Sequence, residues 1–430
     1  MPFGGETSRR DVLKAAVAVG GAAALSACLE QADEPVPTGV SDPTTLPERQ
    51  HAWNDYIRTD EHGNHMLPRH QVLWYLDLPH DGPPTADEQA TLESALRTLD
   101  RAYERSHDGL LYSVAYSPSY FERFETALPE DLDLPQPRRL SDFETPEFDT
   151  QDVLVHFASD RPDALLEAEE AMRGERDTAN ATEVSATITD VLDVADRRTG
   201  FVGAGMPADR QDVAGVPEGD HVPEESPLFM GFVAGFVGNQ ATEDYVTLES
   251  GPFAGGTTKH VANIRQRLDD WYVEDTYDQR VDRMFSPIHR VENLVEGVGA
   301  NLGDDNGLTP EIVENVRDHA EEFGVVGHAQ KAARGNRDDD GNVRLLRRHF
   351  ESTDDDVASL HFPTLQRGIS AFEEVREAMN GTDLTDVPTI RQRVNNGILE
   401  YIFVRSRGNF LVPPRHLRSF PTPEGRTVGE

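Results

Sequence analysis

His328 follows directly on a small turn, Gly324–Gly327, and precedes a Gly/Asn/Asp loop, Gly335–Asn342, that runs into the basic stretch Arg344–Arg348. An imidazole at such a point has two uses. It can ligate a metal ion through one ring nitrogen, or cap free carbonyls at a helix end beside Gly324 and Gly327. Arg347 carries a charge that does not titrate away. It suits stabilisation of negative charge as it develops on a bound oxygen, or plain pairing with Asp338–Asp340. His349 is two residues further on, so on a strand its side chain shares a face with that of Arg347. It serves there as an acid or base, or as an ordinary surface histidine. His62 and His65, three apart beside Gly63 and Asn64, read as a surface loop rather than a metal site.

Taken in chain order, these and further stretches resemble the dye-decolourising (DyP-type) haem peroxidases, from about Arg69 to Pro414. Phe323–Phe350 resembles that family's haem-ligand segment, with Arg344-Leu345-Leu346-Arg347 at the place of its distal-arginine motif. Gly231-Phe232-Val233-Ala234-Gly235 stands where the family has Gly-Phe-x-Asp-Gly, with Asn239 following. A rival alignment, Gly200-Phe201-Val202-Gly203-Ala204, also lacks the aspartate. Gly251–Thr257, Ile264-Arg265 and Leu268–Trp271 resemble the family's Gly-Gly-(Thr/Ser) loop, strand and Leu-x-x-Trp run. Ala358–Phe362 resembles the strand that sets an aromatic ring against the haem. Ile398–Tyr401 and Phe410–Pro414 resemble the family's ending.

The resemblance implies haem b, with His328 as iron ligand and Asp318, Glu321 or Glu322 as acceptor for its other ring nitrogen. Arg347 is the implied distal arginine, and Phe362, Phe232, Ala234 and Gly235 are implied haem-lining positions. Peroxide and a small-molecule reductant are the implied reactants. The chain departs from the family at Ala234, because the family's aspartate there helps to move the peroxide proton and an alanine has none to give. His349, Asp244 or a water must then handle that proton. The expected function is weak or atypical peroxide-dependent oxidation. A non-catalytic haem carrier or sensor, or a haem-free structural module, is the other expectation. Lys259 and His260 depart from the family as well, which keeps those positions apolar; Trp271 is expected in the core.

The elements that must position these groups follow from periodicity and punctuation. Gln71–Leu78 is a predicted strand, dense in branched and aromatic residues and closed by Pro79. Thr85 and Glu88 form a predicted capping box for a helix reaching about Glu104. Strands at Leu110–Tyr116 and Asp152–Ala158, a short helix at Ser119–Leu128, a helix at Ala164–Arg173 and a strand at Ala186–Val194 complete a β-α-β-β-α-β order. That is the ferredoxin-like split βαβ unit. The order repeats with Thr257–Arg265, a largely helical Leu268–Phe285, Arg344–Phe350, Ala358–Gln366, Ala371–Asn380 and Ile398–Val404. A helix inserted at Glu311–Phe323 leads into His328. The expected fold is therefore α+β, two ferredoxin-like units of the dimeric α+β barrel type, at 67–225 and 226–420.

Ahead of them, 1–28 reads as an export signal and 29–66 as a tether and N-terminal extension. Arg9-Arg10 resembles a twin-arginine motif, and Ala15–Ala27 is an apolar run too short to span a bilayer, which takes about 20 residues. Leu25-Ser26-Ala27-Cys28 resembles a lipobox, which implies lipidation at Cys28 and anchoring to the outer face of the cytoplasmic membrane. Cys28 is the only cysteine, so an intrachain disulfide, a multi-thiolate metal site and a c-type haem linkage are excluded. The net charge of −38, with Lys14, Lys259 and Lys331 as the only lysines, predicts a surface hydrated at high salt and a halophilic source. The same charge repels phosphate backbones and argues against nucleic-acid binding. A homo-oligomer stays open.

Overall fold

The structure is a computed structural model that describes residues 34–428. The readings on Arg9, Arg10 and Cys28 concern residues outside that span. In the first unit the strands are β1 (His70–Asp77), β2 (Leu111–Tyr116), β3 (Val153–Ser159) and β4 (Asp193–Phe201). Helix α1 (Ala86–Ala102) joins β1 to β2, and α2 (Pro162–Met172) joins β3 to β4. In the second unit the strands are β5 (Thr257–Gln266), the short pair β6 (Leu346–Arg347) and β7 (Phe350–Ser352), β8 (Ser359–Gln366) and β9 (Ile402–Val412). Its helices are α3 (His328–Gly335) and α4 (Ile369–Asn380).

Each unit has the ferredoxin-like strand order, β4-β1-β3-β2 in the first and β9-β5-β8-β7 in the second. The two sheets then join at both edges. Glu351 of β7 pairs with Phe201 of β4, and Leu411 of β9 pairs with Tyr116 of β2. Because β9 also pairs with β5, the strands form a closed ring. Closure removes the unpaired edges that open sheets must protect. Leu73, Tyr75, Ala115, Leu154, Val261, Phe350, Phe410 and Val412, drawn from both units, pack together inside the ring. Lys259 shares that interior. Its ammonium donates to Ser113 Oγ at 3.2 Å, faces His156 Nδ1 at 3.4 Å, and is pushed down to about 7 by burial.

The outward face of the first sheet is covered by α1 and α2, whose Leu92, Leu96, Leu99, Leu165 and Met172 join Trp74 and Phe157 in the largest apolar core. Full burial of each such side chain is worth roughly 1.5–3 kcal/mol. The Thr85–Glu88 capping box is present at the start of α1: Thr85 Oγ1 accepts from the Glu88 N–H, and the Glu88 carboxylate accepts from the Thr85 N–H at 2.7 Å. Thr85→Ala is expected to lower stability by about 1 kcal/mol, read as a shift in the urea midpoint.

Several expected elements move. The segment expected to be a tether packs from residue 34 onward: Val36 is buried in the first core, and the Val40 N–H donates to Asp100 O at 3.1 Å. The fourth strand runs at Asp193–Phe201, not Ala186–Val194, because a Thr187–Asp190 capping box turns the earlier apolar stretch into a 3-10 helix. The Ser119–Leu128 helix shrinks to Pro118–Phe121, and Glu311–Phe323 is split at Asn315. The last strand starts at Ile402, so Ile398 and Leu399 are free to line a cavity as loop.

Candidate functional site

The outward face of the second sheet is not closed by its helices. A cavity of about 430 Å³ remains between them, within the range of small-molecule and cofactor pockets. Strand alternation decides what the sheet contributes. Ala262 and Ile264 of β5 stand beside Phe362 and Leu360 of β8, and all four line the cavity. The register Leu346↔Leu365, Phe350↔His361, Glu351↔Leu360 runs unbroken, so Arg347, His349 and Glu351 alternate onto the same face. Helix α3 contributes His328, and α4 contributes Phe372, Val375 and Arg376.

Gly327 sets the start of α3. A Cβ there would lie 1.7 Å from Phe285 O, so only glycine lets the helix begin this close to that backbone. Lys331, one turn along, fixes the helix from the other side. Its ammonium donates to Met379 O at 2.7 Å and to Asn396 O at 2.9 Å. His328 is thereby held with its ring on the cavity, and among the described residues no hydrogen bond reaches that ring. Enclosure by protein, then the charges of Lys331, Arg347 and Arg376, push it down to about 3. It is a neutral imidazole at physiological pH. Asp318, Glu321 and Glu322 do not serve it, because the helix Val316–Phe323 turns all three to solvent.

Arg347 is part-buried, and among the described residues no carboxylate pairs with it. Its Nε donates to Gln240 Oε1 at 3.2 Å and its Nη2 to Asn239 O at 3.1 Å, and burial lowers it to about 10. The expected alternative, pairing with Asp338–Asp340, does not occur; Asp338 is taken up by Tyr245 and Asn342. His349 is not a surface residue. It is 8% exposed, stacks on Phe362 with centroids 5.7 Å apart, and its buried Nδ1 has no partner among the described residues. Burial and then Arg347 push it down to about 3. Asp244 is excluded as a proton carrier here, since its side chain is 84% exposed and ion-paired with Arg49.

The loop that carries Ala234 lies over the same cavity. Both of its glycines, Gly231 and Gly235, have φ above +80°, a conformation that side chains resist. Trp271 is fully buried and donates from Nε1 to Met230 O at 3.1 Å, which holds the loop down. Phe232 and Ala234 line the cavity, while Gly235 lines a second, more open one of about 600 Å³. The two cavities share Leu228, Val233, Ala234, Arg347 and His349, so Ala234 sits at their common neck. Of the rival segment, Gly200 and Phe201 belong to β4, while Val202, Gly203 and Ala204 line the second cavity and not the first.

Residues that sequence reasoning missed complete the wall. Glu144 is buried between Arg407, at 2.9 Å, and Arg376, at 3.3 Å. Arg376 keeps a buried Nη1 without a partner, and Arg393 lies 4.0 Å over the Phe403 ring. Glu351 was reachable from the alternation with Arg347 and His349. Glu144 lies in an irregular loop with no such signal.

Comparison with known proteins agrees with this architecture. A dye-decolorizing peroxidase from Bacteroides thetaiotaomicron aligns with a TM-score of 0.53 at 14% identity, covering 88% of this chain and 100% of that one. A variant of Rhodococcus jostii DypB in complex with haem aligns with a TM-score of 0.52 at 14% identity, over 85% and 97%. At this identity the likeness is one of fold. No curated protein matches the chain. Residues 6–26 match the signal sequence of the twin-arginine translocation pathway, which marks the chain for export across the cytoplasmic membrane. The remaining match, to a family of unknown function (DUF7405), spans residues 68–414 and so takes in both units and the cavity; the chain belongs to that family, on a DyP-type peroxidase fold.

Proposed function

We propose that the chain binds haem b in the 430 Å³ cavity and carries out an atypical peroxide-dependent oxidation with a small-molecule reductant. The observation that carries this reading is His328, a neutral imidazole with no hydrogen-bond partner among the described residues, facing an apolar cavity that also holds an arginine with which none of their carboxylates pairs. The residues present suit the group. His328 would ligate the iron, Phe362, Phe232 and Phe372 would pack against the ring, and Arg376, with its spare Nη1, and Arg393 suit its carboxylates. Bound haem supplies the redox iron at which peroxide reacts. Arg347 supplies positive charge for oxygen as it becomes anionic. His349, neutral and stacked on Phe362, can take a proton and release one. The test is the absorption spectrum of protein made with haem supplied. A Soret band that survives gel filtration is expected; its absence would leave a haem-free module.

A second reading, a non-catalytic haem carrier or sensor, is favoured by one observation only, the alanine at position 234. Peroxide cleavage wants a positioned acid or base, whereas storage does not.

The surface reading extends to the source and the membrane. Lys259 and Lys331 are both buried, so no lysine is exposed among the described residues. This fits a halophilic source, in which acidic surfaces hold water. Lipidation of Cys28 would anchor the exported chain to the membrane's outer face. Cys28→Ser is expected to release it into the soluble fraction; a wild type already soluble in its host would count against lipidation.

A further inference from the structure

We propose that Glu351 supplies the proton transfer that Ala234 cannot, acting along the sheet face through His349 toward Arg347. The role rests on the haem and peroxide reading above; the placement of the group does not. Arg347, His349 and Glu351 fall on one face along the single register in which β6 and β7 pair with β8, and each lines the cavity. A rise of about 3.4 Å per residue sets neighbours on that face roughly 7 Å apart. Glu351 also lies at the seam of the ring, opposite Phe201.

Its carboxyl is 1% exposed and reaches the loop that lost the acid. Oε1 accepts from the Phe229 N–H at 2.8 Å, five residues before Ala234, and Oε2 accepts from the Gln266 amide. Among the described residues no cation pairs with it. The groups around it are few. On its own strand are Arg347 and the neutral His349; from β5 comes only the uncharged Gln266. From behind the loop comes Tyr272, whose hydroxyl donates to Phe229 O and stays protonated in its buried place. His328, neutral as well, and Arg393 and Arg405 lie elsewhere on the cavity wall. Burial without a compensating charge favours the neutral acid, and pushes this carboxyl up to about 8. A carboxyl with two neutral hydrogen-bond donors, no cation and a cavity in front of it is a store for a proton.

In the step this permits, the Glu351 O–H bond breaks and its proton passes to one nitrogen of His349. In the same event the other nitrogen gives up its own proton to an anionic oxygen held near Arg347, so the ring stays neutral throughout. Glu351 is left as a carboxylate, and a proton from solvent, entering by the wider cavity, restores the acid. No electrons are exchanged in the transfer. The buried, partnerless Nδ1 of His349 is the nitrogen with capacity to spare.

The test uses the full chain, with and without haem. Infrared difference spectra of the haem-free chain should show a protonated carboxyl band at about pH 6 that fades as pH rises through about 8, and Glu351→Gln should remove it. The amide retains both hydrogen bonds if Gln266 turns its own amide over, so folding is expected to survive. In the haem-loaded protein Glu351→Gln should slow the reaction with peroxide by on the order of 10² and abolish the loss of rate above about pH 8. Adding Ala234→Asp to that variant should recover the rate. A band that persists in Glu351→Gln, or an unchanged rate and pH profile, overturns the proposal. A wild type that takes up no haem overturns the peroxide reading and this role with it, and the infrared band then shows separately whether Glu351 holds the proton.

Discussion

On the haem reading proposed above, His328→Ala is expected to abolish tight haem binding and to leave the fold intact. The ring makes no hydrogen bond with a described residue, so its removal orphans no buried partner. Its loss opens space on a cavity that is already open. The start of α3 depends on Gly327 and Lys331, not on the imidazole. What disappears is the one neutral nitrogen ligand on the helix. Loss of a group that merely orients a metal ligand costs about 10–100-fold in affinity, and loss of the ligand itself should exceed about 100-fold. Two measurements separate the effects: the Soret band after gel filtration, and the thermal midpoint of the haem-free chain. An unchanged Soret spectrum would remove His328 as the ligand.

Arg347→Leu has the second large effect, on rate rather than binding. A donor aimed at developing negative charge is typically worth about 10²–10³ in rate, and a fall of that order is expected in stopped-flow mixing with peroxide. Stability should hold or rise, because the guanidinium is part-buried among neutral acceptors and no carboxylate of the described residues offsets its desolvation. Gln240 Oε1 would still accept the backbone N–H of position 347. Burial lowers Arg347 only to about 10, so the charge is present throughout the neutral range and the deficit should not vary with pH below about 9. Arg347→Lys should recover part of the rate, since it returns the charge without the planar fork. A full rate in Arg347→Leu would show that the charge is not used.

The barrel arrangement makes the site depend on both units. Arg348, next to Arg347 in the chain but on the opposite face, ion-pairs with Glu243 at 2.7 Å and hydrogen-bonds Asn54 Oδ1. Glu243 in turn accepts from the N–H groups of Trp53 and Asn54. Residues 48–57, expected only as part of a tether and N-terminal extension, are therefore tied to the strand that carries Arg347.

What the sequence by itself determined is local. The alternation in Gln71–Leu78, Leu110–Tyr116 and Asp152–Ala158, the Thr85–Glu88 box and the repeat of the β-α-β-β-α-β order were legible because each depends on residues within a few positions of one another. That His328 and Arg347 face one site was legible from residue type and spacing within a resemblance. Only the tertiary structure decided the rest. Asp193–Phe201 is a strand despite its charges, because its partner β1 supplies a full ladder and its polar side chains find solvent or ion pairs. His349 is buried and Asp244 is exposed, although the sequence offered both as carriers of the distal proton, because burial depends on what a loop or helix lays over a face. Glu144 joins Arg376 and Arg407 across more than 200 residues of chain. Periodicity tells which side of an element is covered; it carries no record of which distant element covers it, and the cavity is made entirely of such pairings.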